Sequence, residues 1–328
     1  MRAIRFSQFG APAEVLRLDD VPAPQPGPGE VRVRLTHRPI NPSDLYAVAG
    51  VYPVRPALPG SPGLEGVGRI DALGAGVAAP AVGQRVIVTD GRPGTWAEQL
   101  VVPVAGVLPV PGAVRDQAAA QALVNPVTAW AMLVDELAVR EGEWLLQTAA
   151  GSTLGRLVIQ LARLRGVRTI NVVRRRAQAA ELLELGGDAV VATDEESLPE
   201  RVGALTEGAG VRVAIDAVGG ATGAAAAVCL ARGGTLLSMG LLGGDPRLPI
   251  DVGDLLFKGT TVRGFWLTNW FAAHPPAHTA AAVSEVLALL ATGRLDPPVA
   301  AEYDLADFRA ALAHAERPGR SGKVLLVG

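Results

Sequence analysis

The stretch 143–176 constrains this chain more than any other part of its sequence. A short apolar run at 144–149 leads into the turn Ala149-Ala150-Gly151-Ser152-Thr153-Leu154-Gly155. Leu154, Leu157, Val158, Leu161 and Leu164 then recur at helical spacing, and a second apolar run follows at 169–173. A strand, a helix and a strand at this spacing form a right-handed crossover between parallel strands. The turn would open the helix directly off a buried strand. Unpaired N–H groups and the helix dipole at such a point bind a pyrophosphate, and Gly155 would let the helix pack close to the sheet. The turn is not a regular G-x-G-x-x-G, so its weight comes from its place in the strand–turn–helix–strand unit. The alternative is an ordinary loop of an α/β protein.

The end of the second strand selects the dinucleotide. An NAD site carries Asp or Glu about 20 residues beyond the glycines, on the ribose 2′-hydroxyl. Here Ile170-Asn171-Val172-Val173 runs into Arg174-Arg175-Arg176 with no acid. Guanidinium groups suit the 2′-phosphate of NADPH, so NADPH is the expected cofactor. A solvated basic loop is the alternative for one or more of the three arginines. Lys and Arg total 30 against 32 for Asp and Glu, a net charge of −2, which gives no general attraction to nucleic acid or to a membrane surface.

The rest of the chain is organised around this unit. Residues 1–120 are rich in Pro, Gly and Val and alternate in short runs, as in Val31, Val33 and Leu35 with Arg32 and Arg34 between them. They read as a compact β domain. From about residue 123 strands and helices alternate, with further strands at 189–192, 211–215, 235–239 and 261–265. The fold class expected is α/β with a doubly wound parallel sheet. Helices at 279–292 and 304–316 and a strand at 323–327 read as a return to the first domain. The domains are therefore expected at 1–122 plus 267–328, and at 123–266. The single cysteine, Cys229, excludes an internal disulfide and reads as a small core residue. No apolar run reaches the ~20 residues that span a bilayer, and a cytoplasmic location is the expectation.

Several segments carry a family resemblance: Ile40-Asn41-Pro42-Ser43-Asp44, Gly50-Val51-Tyr52, Glu65-Gly66-Val67, Gly94-Thr95-Trp96, Val124-Asn125-Pro126 with Thr128-Ala129, the run 168–174, and Arg263-Gly264-Phe265-Trp266-Leu267. The chain resembles the zinc-independent medium-chain dehydrogenase/reductases, most of all the mitochondrial trans-2-enoyl-CoA/ACP reductases, which are related to the quinone oxidoreductases. The resemblance implies a GroES-like β domain plus a Rossmann domain. It also implies homodimers that pair their last Rossmann strands edge to edge, here near 261–265. The substrate implied is an enoyl thioester, with a quinone as the alternative and a non-catalytic NADPH sensor as a third reading.

No metal is expected. Where zinc enzymes of the superfamily place a Cys, this chain has Asn41-Pro42-Ser43-Asp44, and where they place His-Glu it has Leu64-Glu65. The four histidines are read as forming no ligand cluster, with His274 and His278 kept off a common helix face by Pro275-Pro276. Without a metal, reduction of an enoyl thioester needs a donor for the thioester oxygen and a proton for Cα. Tyr52, in a Pro/Gly-rich loop, is the candidate acid; the alternative is a tyrosine packed for its ring. The resemblance assigns cofactor contacts to Gly151, Ser152, Thr153, Leu154, Gly155, Arg174, Arg175 and Arg176. It extends them to Asn125, Met239, Gly240, Phe265, Trp266, Leu267 and Lys323, and makes Asn41 and Thr128 further candidates. The asparagines read alternatively as turn or helix caps, and Lys323 as a solvated strand-start lysine. Thr153 departs from the family, which carries glycine there.

Overall fold

A computed structural model describes all of residues 1–328. The chain divides into two compact units, Met1–Val124 with Glu285–Gly328, and Asn125–Ser284. Seven strands come first: β1 (Arg2–Arg5), β2 (Arg17–Asp20), β3 (Glu30–Pro39), β4 (Gly66–Leu73), β5 (Arg85–Val88), β6 (Gln99–Pro103) and β7 (Val107–Pro109). The second unit holds β8 (Trp144–Gln147), β9 (Arg168–Val173), β10 (Ala189–Ala192), β11 (Val211–Asp216), β12 (Leu230–Ser238) and β13 (Thr261–Gly264). The first unit is completed by β14 (Val299–Asp304) and β15 (Lys323–Val327).

The first unit is a mostly antiparallel β structure. Its seven-stranded sheet runs β14-β15-β3-β4-β5-β7, with β6 paired to β3, beside the β1-β2 ribbon. The alternation seen in the sequence is a real face: Val31, Val33 and Leu35 are buried with Ile70, Val86, Val88 and Leu100. Arg38 breaks the apolar rule. It is fully buried at the end of β3 and its Nη2 donates to the carbonyls of Ala97 at 2.7 Å and Gly328 at 2.9 Å. Burial pushes its guanidinium down to about 9. The fork thus ties β3 to the segment before β6 and to the end of β15.

The second unit is a doubly wound sheet in the order β10-β9-β8-β11-β12-β13, with every pairing parallel. Period-2 alternation sorts its side chains to two cores. Leu146, Ile170, Val172, Val191 and Ala214 face one side; Val173, Val190 and Ala192 face the other, against Ile159 and Leu182. Numbered by appearance within the unit, the strand order is 3-2-1-4-5-6, which reverses between β8 and β11. No helix is long and apolar enough to cross a membrane.

The boundary drawn at 266 from the sequence leaves out part of this unit. Residues 267–284 belong with it. The reason is Trp270, which is buried, stacks edge-on against Trp130 at 6.3 Å and donates from Nε1 to Asp135 at 2.9 Å.

Removing the Arg38 fork should orphan two buried carbonyls. Arg38→Ala is expected to destabilise the protein by on the order of 3 kcal/mol. A urea denaturation midpoint that does not move would refute this account of the fork.

Candidate active site

Because all six strands of the second unit are parallel, their C-terminal ends share one edge. That edge gathers four sequence-expected groups: 151–155 after β8, 174–176 after β9, Met239 and Gly240 after β12, and Phe265, Trp266 and Leu267 after β13.

The turn after β8 is shaped by backbone. Ala149 adopts φ 50°, a left-handed conformation that a Cβ disfavours, and this breaks the strand sharply. Ser152 caps the helix Thr153–Leu164, its Oγ accepting from Gly155 N at 3.1 Å. Thr153 N–H and Leu154 N–H have no acceptor in the protein. Gly155 is required sterically: a Cβ there would lie 2.6 Å from Ala150 Cα and O and 2.8 Å from Ala149 O. Thr153, in the slot the family gives to glycine, is buried at the first helical position.

A polar pair behind the turn fixes its position. Gln147 Nε2 donates to Gly155 O at 2.9 Å and to Asn171 Oδ1 at 2.8 Å, while Asn171 Nδ2 donates to Thr169 Oγ1 and Ala189 O. The next strand end has a similar brace. Thr148 Oγ1 donates to Asp216 Oδ1 at 2.6 Å, and Asp216 also accepts from the N–H groups of Val218 and Gly219. Sequence reading missed these four side chains. Their one signal was polarity inside otherwise apolar strands.

At the end of β9 the arginines separate. Arg176 is paired with Glu196 at 3.0 Å, while Arg174 and Arg175 are exposed and make no ion pair. The edge thus combines a helix start with two unclaimed N–H groups and two unclaimed guanidinium groups, with no carboxylate at the end of β9. These residues fit a dinucleotide with a 2′-phosphate. Asn125 and Thr128 lie one turn apart on the helix Val124–Ala131.

The first unit positions Asn41, Tyr52 and Lys323. Asn41 is the N-cap of the helix Pro42–Ala49 with Pro42 next, and its N–H donates to Asp44 Oδ2 at 2.8 Å. Gly50 ends the helix at φ 76°. The N–H groups of Val51 and Tyr52 then turn back to Tyr46 O, which anchors the Tyr52 backbone to the helix end. Lys323 is not a solvated lysine: it is 3% exposed and its Nζ donates to Asn41 Oδ1 at 2.7 Å. Asn41 Nδ2 passes the contact to Glu65 Oε1 at 3.0 Å, and Glu65 Oε2 accepts from Leu123 N and Val124 N. Glu65 therefore fixes the backbone at the end of this segment of the first unit. Burial raises the Glu65 carboxyl above its ordinary value and pushes Asp44 up to about 7. It pushes the Lys323 ammonium down to about 8. Cys229 is buried and its thiol is pushed up to about 12 by desolvation, so it is an inert core residue.

One expectation about the histidines does not hold. His274 and His278 stack with ring centroids 4.9 Å apart, and both face Asp135. One helix closes at His274 and the next starts at Pro276, and the break between them brings together rings that no single helix face would pair.

Comparison with known proteins agrees with this geometry. Residues 27–112 match the alcohol dehydrogenase GroES-like domain and residues 153–288 match the family described as zinc-binding dehydrogenase. The chain is 34% identical to the mitochondrial enoyl-[acyl-carrier-protein] reductase of Bos taurus, over 99% of this chain and 88% of that one. The chain belongs to the enoyl reductase branch of the medium-chain dehydrogenase/reductases. Among solved structures of the same superfamily, a Bacillus thuringiensis protein described as an NADPH:quinone reductase superposes with a TM-score of 0.93 at 34% identity, covering 100% and 98% of the two chains. The Escherichia coli quinone oxidoreductase, solved with NADPH, gives 0.90 at 27% identity over the full length of both.

Two outcomes follow. Arg174→Ala combined with Arg175→Ala should raise KM for NADPH about tenfold or more and leave KM for NADH nearly unchanged; equal effects on both would refute the 2′-phosphate role. The second concerns Asp44. Its folded-state value of about 7 lies above that of an unfolded aspartate, so its stabilising contribution is full at acid pH and is lost as pH rises through about 7. Thermal melts of the wild type should therefore fall relative to Asp44→Asn between about pH 4 and about pH 7 and then run parallel. A constant offset across that range would show Asp44 to be ionised throughout.

Proposed function

We propose that the protein is an NADPH-dependent reductase of 2-enoyl thioesters, linked to coenzyme A or to a carrier protein. The observation that carries the cofactor is the sheet edge, where the free N–H groups of Thr153 and Leu154 adjoin a strand that ends in the unpaired Arg174 and Arg175. The chain-long identity to the bovine enoyl reductase supplies the substrate class. NADPH, when bound, supplies a hydride to Cβ of the conjugated double bond.

The chain's own residues do the rest. The helix start takes the pyrophosphate, and the arginines take the 2′-phosphate. Met239, Gly240, Phe265, Trp266 and Leu267 border the dinucleotide, with Asn125 and Thr128 as further contacts. Hydride addition at Cβ places negative charge on the thioester oxygen, and Cα must then gain a proton. Tyr52 donates that proton, so NADPH and one proton convert the enoyl thioester to the saturated thioester and NADP⁺. Asn41 and Lys323, joined in one buried chain to Glu65, support the helix that carries Tyr52 at its end.

Reduction of a quinone is the second reading, favoured by the structural likeness to the Bacillus thuringiensis and Escherichia coli proteins. It uses the same cofactor edge but has no need of a proton donor fixed at Tyr52. NADPH oxidation with 2-enoyl-CoAs of graded chain length, a quinone, and NADH as control separates the two. On an enoyl-CoA, Tyr52→Phe should lower kcat by about a hundredfold or more. An unchanged kcat would remove Tyr52 from the mechanism.

The assembly proposed is a homodimer. β13 is the edge strand of the parallel sheet, and on the helix just before it Leu256 and Phe257 are 70% and 74% exposed. An open strand edge beside large exposed apolar side chains is a surface that proteins cover. Light scattering should give a dimer for the wild type and a monomer for Phe257→Glu.

A further inference from the structure

The second unit holds a group of potential metal ligands that the reductase reading does not use. Asp135 lies in a π-turn, Met132–Glu136, that continues the helix Val124–Ala131. His274 follows the helix Leu267–Ala273, and His278 stands in the first turn of the helix Pro276–Ala291. A carboxylate and two imidazoles from three elements thus converge, with one ligand atom from each lying within 4.8 Å of the others.

The hydrogen bonds prepare these atoms for a cation. His274 Nδ1 lies 2.9 Å from Trp270 O. A carbonyl only accepts, so Nδ1 carries the proton and Nε2 presents a lone pair. That Nε2 is 4.0 Å from Asp135 Oδ2. His278 Nε2 lies 2.8 Å from the same oxygen. Trp270 Nε1 donates to this oxygen at 2.9 Å, which orients the carboxylate from behind. A backbone carbonyl on one imidazole and an indole N–H on the carboxylate are the kind of outer contacts that orient metal ligands. All three side chains are partly exposed, so a cation can enter from solvent.

We propose that Asp135, His274 and His278 form a binding site for a divalent transition-metal ion of the Zn²⁺ class. Two nitrogens and one oxygen suit such an ion and not Mg²⁺ or Ca²⁺, which take oxygen ligands. Bonds of about 2.0–2.2 Å in a tetrahedron put ligand atoms roughly 3.4 Å apart. The 4.0 Å separation must close slightly and the 2.8 Å separation must open. On binding, the His278 Nε2–H···O bond gives way to a bond from Nε2 to the metal, and the imidazole proton moves to Nδ1. Water completes the coordination. The ion staples the π-turn to the end of one helix and the start of the next, on either side of Pro275. The site is separate from the cofactor edge in its residues and does not depend on the reductase assignment.

The test uses untagged full-length protein, stripped with a chelator and titrated with ZnCl₂ by calorimetry. The wild type should bind one Zn²⁺ per chain with micromolar affinity. His274→Gln and His278→Gln should each weaken binding about tenfold or more. Circular dichroism should show both variants folded. Tryptophan fluorescence gives a second readout, because Trp130 and Trp270 both pack close to the His278 ring, at 6.2 and 6.0 Å between centroids. Zn²⁺ should change the emission of the wild type and not that of His278→Gln. Asp135→Asn, which disturbs the Trp270 hydrogen bond, is read only alongside the two histidine variants. Absence of saturable binding up to about millimolar Zn²⁺ in the wild type overturns the proposal, as does equal affinity in both histidine variants and the wild type, which would put the ion elsewhere.

Discussion

The close approach of Gly155 to the backbone of Ala149 and Ala150 is the contact on which the second unit depends. A side chain at 155 would drive the helix Thr153–Leu164 away from β8, and the helix start would no longer sit at the strand end. The left-handed Ala149 makes the sharp exit from the strand, and Gln147 holds Gly155 O from below. The turn is therefore a backbone device braced by one buried amide. Thr153 opens the helix as a buried residue at its first position, two residues before the point of closest approach, and its own N–H stays available.

What was legible in the sequence was local. Period-2 runs gave the strands, period-3.6 runs gave the helix after the turn, and Arg174-Arg175-Arg176 marked a strand end, because each signal is carried by neighbours in the chain. The braces were illegible for the opposite reason. Gln147 meets Asn171 across 24 residues, and Lys323 meets Asn41 across 282. No spacing rule links such pairs, and a polar residue in an apolar strand looks the same whether or not it has a partner. The histidine pair failed in a different way. The rule that prolines separate helix faces is sound within one helix, but here the prolines stand between two helices, and the break juxtaposes what a single helix would part. Residues 267–284 stay with the second unit because Trp270 packs on Trp130 and donates to Asp135.

Lys323, Asn41 and Glu65 form one buried polar chain. It is a lysine and a glutamate bridged by an amide. Burial disfavours charge on Lys323 and on Glu65 alike. Each group, however, finds a donor or acceptor suited to its charged form. Lys323 has the Asn41 oxygen, while Glu65 has the Asn41 amide and two backbone N–H groups. An amide bridge fixes the polarity of the chain, because only one orientation of Asn41 serves both ends. Asp would repel Glu65, and Leu would leave Lys323 without the Asn41 oxygen and Glu65 with its two backbone donors alone.

That arrangement shifts the chemical burden elsewhere. A site with no thiolate or imidazole at these positions offers no ligand set there for a Lewis acid to polarise the substrate carbonyl. The charge that develops on a thioester oxygen must then meet preorganised hydrogen-bond donors, and the proton must come from a side chain that can release it. In the first unit Tyr52 is the side chain we propose for that release. Its backbone is pinned to the end of a helix whose start is held by Asp44 and whose N-cap is locked to Lys323 and Glu65. The buried charge chain and Tyr52 thus bracket one short helix. A substitution at Asn41 would act on Tyr52 through that helix, by moving it, without altering the chemistry of the phenol itself.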